Sequence, residues 1–547
     1  MGVKLVNSIY IIVIHHTACN STQVKIMNRS GLDCASRCYI FIVLLLMLLP
    51  TACSSPPRAE SENNRQIIIG LEGSPTTLDP RYTTDAYGSR ILPLMYNGLL
   101  TTDRQGNIVA DLARGWEIVN NRTYRFTLRP GVRFSDGSPC TAHDVKATID
   151  YMRTADNGCP AYGSFSIIDA IETPDPMTIV FRLKKPFASF LYALTSYIVP
   201  ASCCRREKQE KPLDIPGTGP FRLLEFSRGH RIILAANPHY HLAPPFLKRI
   251  CFKIITNDTT RIMALKKGTI DLVQNAIPPY ALKFFQRDSD LRVVSRRGNS
   301  YKYLGYNLKD PLTGNLMVRR AISLAIDRRQ IIRYILKGEA RPANGILPPE
   351  HWAGDPELKP TPFDPEKAAR LLDQAGFPPK NPDGIRFSLS YKTSTNQESF
   401  EIAQIIKKQL ARIGIRVDIL RFEWGTFFAD IKKGNFQLYS LKWIGIQDPD
   451  IFYYLFHSSS IPPRGANRGR FCNPEVDRLL EESRTVVDRE KRRQLYIKIQ
   501  RMVADQEVYT GLWYRNDVVV MKRKLEGFEI YPGGAYTSLR KVRWQDT

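Results

Sequence analysis

Residues 96–152 read YNGLLTTDRQGNIVADLARGWEIVNNRTYRFTLRPGVRFSDGSPCTAHDVKATIDYM, and the fold is decided by how this stretch is read. Arg104-Gln105-Gly106-Asn107 lies between apolar runs and carries turn residues. Residues 116–119 and 123–128 flank Asn120-Asn121. This predicts a hairpin with Tyr124, Phe126 and Leu128 on one face and Arg125, Thr127 and Arg129 on the other. Pro130-Gly131 and Asp136-Gly137 turn the chain twice more. Thr141 then falls at the N-cap of a helix carrying Val145, Ile149 and Met152 on one side. The expectation is a β-rich segment closing in a helix, without catalytic chemistry.

The same alternation of strands and helices continues on both sides. Residues 67–71 form a short apolar run of the buried-strand kind, and residues 179–183 alternate as a strand. Residues 252–255, a helix from Thr259 to the stop at Gly268, and a strand from Asp271 follow in order, which argues for an α/β fold. Residues 301–308 (YKYLGYNL) alternate again before a helical region with Val318, Ile322, Ala325 and Ile326 on one face. Asp364-Pro365 and Asn473-Pro474 start further helices, and Ile402, Ile405, Ile406 and Leu410 stripe another that ends at Gly414. Ile415, Val417 and Ile419 point one way in a strand, and residues 528–544 read as a final strand pair.

With 547 residues, 43% apolar and 24% charged, the chain has the composition of a globular protein of roughly three or four domain-sized units. The net charge is +25, but Lys and Arg are spread along the whole sequence and form no basic block. That distribution argues for a solvated surface and against a nucleic-acid partner. Residues 39–49 are continuously apolar, follow Arg29 and Arg37, and precede Pro50-Thr51-Ala52-Cys53-Ser54-Ser55. Such a run is too short for an ordinary membrane span and reads as a signal segment over residues 1–52, with the translation start expected at Met27. Small residues before a cysteine resemble a bacterial lipobox, with Cys53 lipidated and residues 53–66 as tether; cleavage as an ordinary secretory peptide is the alternative. The remaining cysteines form no metal signature, and Cys140–Cys159 is the one pair to consider for a disulfide. His239-Tyr240-His241 reads as a surface loop and not as a metal pair. Nucleotide-binding, nucleophile-elbow and zinc-protease motifs are missing, so no catalytic residue, cofactor or metal site is nominated.

Residues 443–456 (WIGIQDPDIFYYLF) carry the mixture that a cleft for an extended ligand needs: aromatic walls, a glycine for close backbone approach, and fixed charges. The strings GWEIVNNRTYRFTLRPGVRFSDGSPCTAHDV, GTGPFRL, LGYNL…VRRAISLAIDR, FDPEKAARLLDQAGF and NPEVDRLL…LY resemble, in order over residues 67–544, the family 5 extracellular solute-binding proteins. The resemblance implies a type II periplasmic-binding fold: two α/β lobes joined by hinge strands, plus an extra domain. It divides the mature chain into one lobe of residues 67–95, 213–298 and 512–547, an extra domain of 96–212, and a second lobe of 299–511. The hinge crossings implied lie near residues 299–307 and 511–515.

The implied activity is capture of a peptide or peptide-like solute by the monomeric, lipid-anchored receptor of an ABC importer, with a permease and an ATPase as partners and no reaction on the ligand. Glu72-Gly73-Ser74-Pro75-Thr76-Thr77-Leu78-Asp79-Pro80 resembles the family's loop bordering the cleft. The 443–450 segment resembles its W-x-x-D-Y-P-D-P motif, but is one residue shorter and carries Gly445-Ile446-Gln447 where the acid that meets a peptide ammonium stands. Glu72 or Asp448 is the available substitute, and blocked, cyclic or non-peptide ligands gain ground. The ligand-binding set expected is Glu72, Ser74, Tyr306, Asn307, Trp424, Trp443, Gly445, Ile446 and Asp448. A receptor for a metal chelate, a secreted hydrolase and an envelope sensor without a permease are the competing readings.

Overall fold

Strand Ala113–Asn120 turns at Asn120-Asn121 and returns as Thr123–Leu128, as the alternation requires. The computed structural model describes residues 65–205, 215–380 and 382–545; the signal segment and Cys53 lie outside them. The hairpin joins Thr178–Leu183 and Ile168–Asp175 in a four-stranded antiparallel sheet. Its inner face buries Tyr124, Phe126 and Leu128, each contributing roughly 1.5–3 kcal/mol by leaving water. The helix Ala142–Met152 covers that face with Val145, Ile149 and Met152, and its first turn is closed by reciprocal capping between Thr141 and Asp144.

The rest of the chain is organised by one eleven-stranded mixed sheet. Gln66–Leu71 pairs in parallel with Arg249–Ile254 and Leu272–Gln274 in one half. In the other half Phe387–Ser394 pairs in parallel with Ile415–Phe422 and with Leu438–Trp443. Two long antiparallel strands, Leu291–Tyr306 and Tyr509–Lys522, run through both halves. Leu291 to Arg296 pairs with Lys522 to Asp517 in the first half, and Ser300 onward pairs with Arg515 and earlier residues in the second; the register shifts between Arg296 and Ser300. Gly298 sits in that break, where an added Cβ would lie 2.4 Å from the Arg515 carbonyl oxygen, so only glycine lets the strands approach. Separate apolar cores lie on the two sides of the break.

Three expectations need correction. Residues 528–544 are not a strand pair: Pro532–Gly534 and Thr537–Lys541 are 3-10 turns, and only Arg543–Trp544 pairs, with Leu525–Glu526. Pro532 followed by two glycines at φ +70° and +78° cannot hold an extended ladder. The crossing strand starts at Leu291, not Tyr301, because the charges and Gly298 in residues 295–300 mask its alternation. No disulfide joins the described cysteines, and Cys140 and Cys159 are buried as thiols. Among the described residues no helix is long and apolar enough to cross a membrane.

Candidate functional site

The two halves of the large sheet meet again above the crossing strands. Gly445, at φ +67° in the loop after Leu438–Trp443, packs on Gly533 so closely that a Cβ on either would lie 3.1–3.2 Å from the other's Cα. Asn299 Nδ2, at the break, donates to the Ile446 carbonyl at 3.1 Å. The cleft is therefore roofed by backbone against backbone. Next to the roof, the space around Gly534 is ringed by donors, with Gln274 Nε2, Arg90 Nε and Asn275 Nδ2 all within 3.3 Å of its Cβ direction.

Several polar groups here lack partners within the described chain. They are Glu72 Oε2, Arg90 Nε, both amide atoms of Gln274, and Trp443 Nε1, all buried. The backbone amides and carbonyls of Gly73 and Gly445 likewise make no hydrogen bond. Buried polar groups in folded proteins are nearly always paired, because leaving one unpaired costs about 1–3 kcal/mol. Glu72, Arg90, Gln274 and Trp443 gather several such atoms around the cleft.

Charge follows the same geometry. Lys302 and Lys442 are directly opposed on neighbouring antiparallel strands. Arg515 is bound to Glu398 at 2.6 Å, and Arg90 lies 3.4 Å from Glu72. Burial, then the Lys442 charge, lowers the Lys302 ammonium to about 8, while burial and Arg90 lower Lys442. Burial works against ionisation of Glu398, yet Arg515, Lys302 and Lys442 hold it below the usual carboxylate range. Asp517, accepting from Asn275 Nδ2 at 2.8 Å, is pushed up by burial despite Arg90 and Lys442.

The expected ligand-binding residues divide. Glu72, Gly445 and Ile446 lie at the cleft, and Trp443 adjoins it with Arg468 4.9 Å over its ring. Ser74 accepts from the Gly229 amide at 3.1 Å beside the same loop. The structure does not bring Tyr306 there: it is fully buried in the second core, its hydroxyl 2.5 Å from that of Thr510. Asn307 caps the far end of its strand and bonds the Gly434 carbonyl at 3.3 Å. Trp424 is exposed at the first turn of Trp424–Lys433, stacked on Phe428.

Asp448 is engaged elsewhere. Its Oδ1 accepts from Ser189 Oγ at 2.8 Å, from the Asp450 amide at 2.7 Å and from Arg492 Nη2 at 3.1 Å. Ser189 belongs to the segment that carries the four-stranded sheet, so Asp448 clasps that segment to the second half. Sequence reasoning missed Arg90, Gln274, Lys302, Glu398, Lys442 and Arg515. The available signal was one cation inside each of two otherwise apolar strands, YKYLGY and LYSLKW.

A model of the bacterial extracellular solute-binding proteins, family 5 (middle), matches residues 107–462. The oligopeptide-binding protein AppA of Bacillus subtilis (strain 168) is 27% identical over 524 residues, covering 90% of this chain and 95% of that one. The glutathione-binding protein GsiB of Salmonella paratyphi A is 28% identical over 492 residues, covering 86% and 93%. The solved structure of B. subtilis AppA in complex with a nonapeptide matches with a TM-score of 0.80 at 27% identity, over 88% of this chain and 99% of that chain. NikZ from Campylobacter jejuni in complex with Ni(L-His) matches with the same TM-score over the same shares at 24% identity, a likeness of fold.

Proposed function

The chain belongs to the bacterial extracellular solute-binding proteins of family 5 and has their type II periplasmic-binding fold; from that premise we propose that it captures peptides or peptide-like solutes between its lobes and delivers them to the permease and ATPase of an ABC importer. The observation that carries the reading is the row of unpartnered polar groups along the cleft, from the Gly73 and Gly445 backbones to Glu72, Gln274 and Trp443. Free main-chain groups at Gly73 and at Gly445 suit an extended ligand that bonds through its own backbone, with side pockets setting preference. Glu72, Gly445, Ile446 and Trp443 are the residues proposed to touch it. Glu72 takes a ligand ammonium in place of the acid absent at 445–447, because its Oε2 is unpartnered while Asp448 is held by Arg492 and Ser189.

The mechanism is a shift in population. Contacts made with both lobes at once favour the closed arrangement, and closed and open forms differ by rotation at the break between Arg296 and Ser300. No bond in the ligand is made or broken. The protein is monomeric and held to the membrane by lipid on Cys53, with 67–95, 213–298 and 516–547 as the first lobe, 96–212 as the extra domain and 299–515 as the second lobe, since Leu512, Trp513 and Tyr514 pack in the cores of the second half.

The test is native mass spectrometry of the protein purified from its own host, before and after partial unfolding. A peptide or peptide-like mass that leaves on unfolding and restores thermal stability on return is expected. A tightly held mass of unrelated chemistry, or no stabilisation by any member of a peptide library, would overturn the peptide assignment.

A further inference from the structure

Lys302 and Lys442 form a like-charged cross-strand pair at the floor of the cleft. They stand opposite each other in the ladder between Leu291–Tyr306 and Leu438–Trp443, one register step from Tyr301 and Trp443. Directly opposed residues on antiparallel strands have Cβ atoms about 4.5–5.5 Å apart, and like charges there are destabilising. Neither ammonium has a hydrogen bond or ion pair to any described residue, although Lys302 is partly buried.

None of the nearby carboxylates bonds either lysine. Glu398 bonds Arg515 at 2.6 Å, Asp517 bonds Asn275 at 2.8 Å, and Glu72 lies against Arg90. Four cations thus converge with three acids, and two of the cations are unpaired. Lys442 is exposed in surface terms, yet its electrostatic neighbours Arg90 and Glu72 come from the opposite lobe, so the surface it exposes faces the cleft.

We propose that the solute captured in this cleft carries an anionic oxygen group, a carboxylate or a phosphate, that docks between Lys302 and Lys442. This rests on the receptor reading and narrows it. The anion neutralises the repulsion between the two ammonium groups and accepts hydrogen bonds from both, so charge-assisted bonding is gained and a penalty already present in the free protein is removed. A neutral ligand of the same shape gains neither and leaves the cation pair desolvated beneath it, so the pair selects against it.

The full chain is stripped of ligand by partial unfolding, refolded, and exposed to peptides of two to five residues prepared in matched forms: free acid, amide, and phosphoserine-containing amide. Bound masses and melting shifts are read for the wild type, K302M/K442M, K442M alone and K442R. The wild type is expected to hold acid or phosphorylated members at least tenfold more tightly than their amides. K302M/K442M and K442M lose that preference, and K442R keeps it. The phosphoserine amides separate a phosphate site from a carboxylate site, and either result supports the proposal.

Without ligand, K302M/K442M melts above the wild type, because the repulsion is gone. Equal retention of acids and amides by the wild type, or a preference that survives in K302M/K442M, rejects anion docking and leaves the receptor reading standing. A ligand-free K302M/K442M that melts lower rejects the strain argument. If no member of any form is retained, the peptide reading fails and this inference falls with it.

Discussion

At the scale of the residue, the behaviour of Lys302 with pH follows from its surroundings. Lys442 opposes it across the ladder, Arg515 and Glu398 lie alongside, and Arg90, Glu72 and Asp517 face Lys442 from the other lobe. Burial lowers its ammonium from 10.5 to about 8 in the folded chain. Below pH 8 both folded and unfolded forms hold the proton, and the folded form bears the full repulsion. Between about pH 8 and pH 10.5 the folded form releases it first, the unfolded form binds more protons, and stability from this group rises with pH. Anion affinity moves the opposite way. We expect acidic ligands to weaken above pH 8 while neutral ones do not, measured by calorimetric titration at pH 7 and pH 9; a parallel loss for both would remove Lys302 from the site.

At the scale of the element, the clasp around Asp448 and the break at Gly298 carry the consequences. Arg492 and Asp448 are both largely buried, with side chains 6% and 13% exposed, and Ser189 bonds the two of them. Removing the charge in D448N leaves Arg492 buried beside a neutral partner, which costs about 3 kcal/mol. We expect D448N to lower the midpoint of urea unfolding and to loosen the 96–212 segment in hydrogen exchange. An unchanged midpoint with lost ligand binding would instead make Asp448 a ligand contact.

The elements themselves were largely legible in the sequence. The hairpin at Asn120-Asn121, the Thr141 cap and the helix starts at Asp364-Pro365 and Asn473-Pro474 all stand where local chemistry places them. Legibility fails where a residue serves the junction of elements. Residues 295–300 lose their alternation because they cross between lobes, and Gly533-Gly534 reads as a loop inside an expected strand because it forms the cleft roof. Tyr306 and Asn307 look like site residues on a strand that reaches the cleft, but they lie at its other end.

At the scale of the whole molecule, the sheet that unites the lobes also sorts their charges. Lys302, Lys442, Arg515 and Glu398 all lie on the second half, beyond the register break, whereas Glu72, Arg90, Gln274 and Asp517 belong to the first. The cation pair is therefore assembled whether the lobes are apart or together, and only its roof is put in place by rotation. That separates two events in time. Encounter takes place on a half-site whose field is already set, and locking follows. In stopped-flow measurements the association rate of an acidic peptide is expected to fall with ionic strength, and its dissociation rate to stay nearly constant. An association rate indifferent to salt would mean that closure comes first. The break at Gly298 thus acts as a clock: by leaving both lysines on one side, it makes arrival an electrostatic matter and departure a mechanical one.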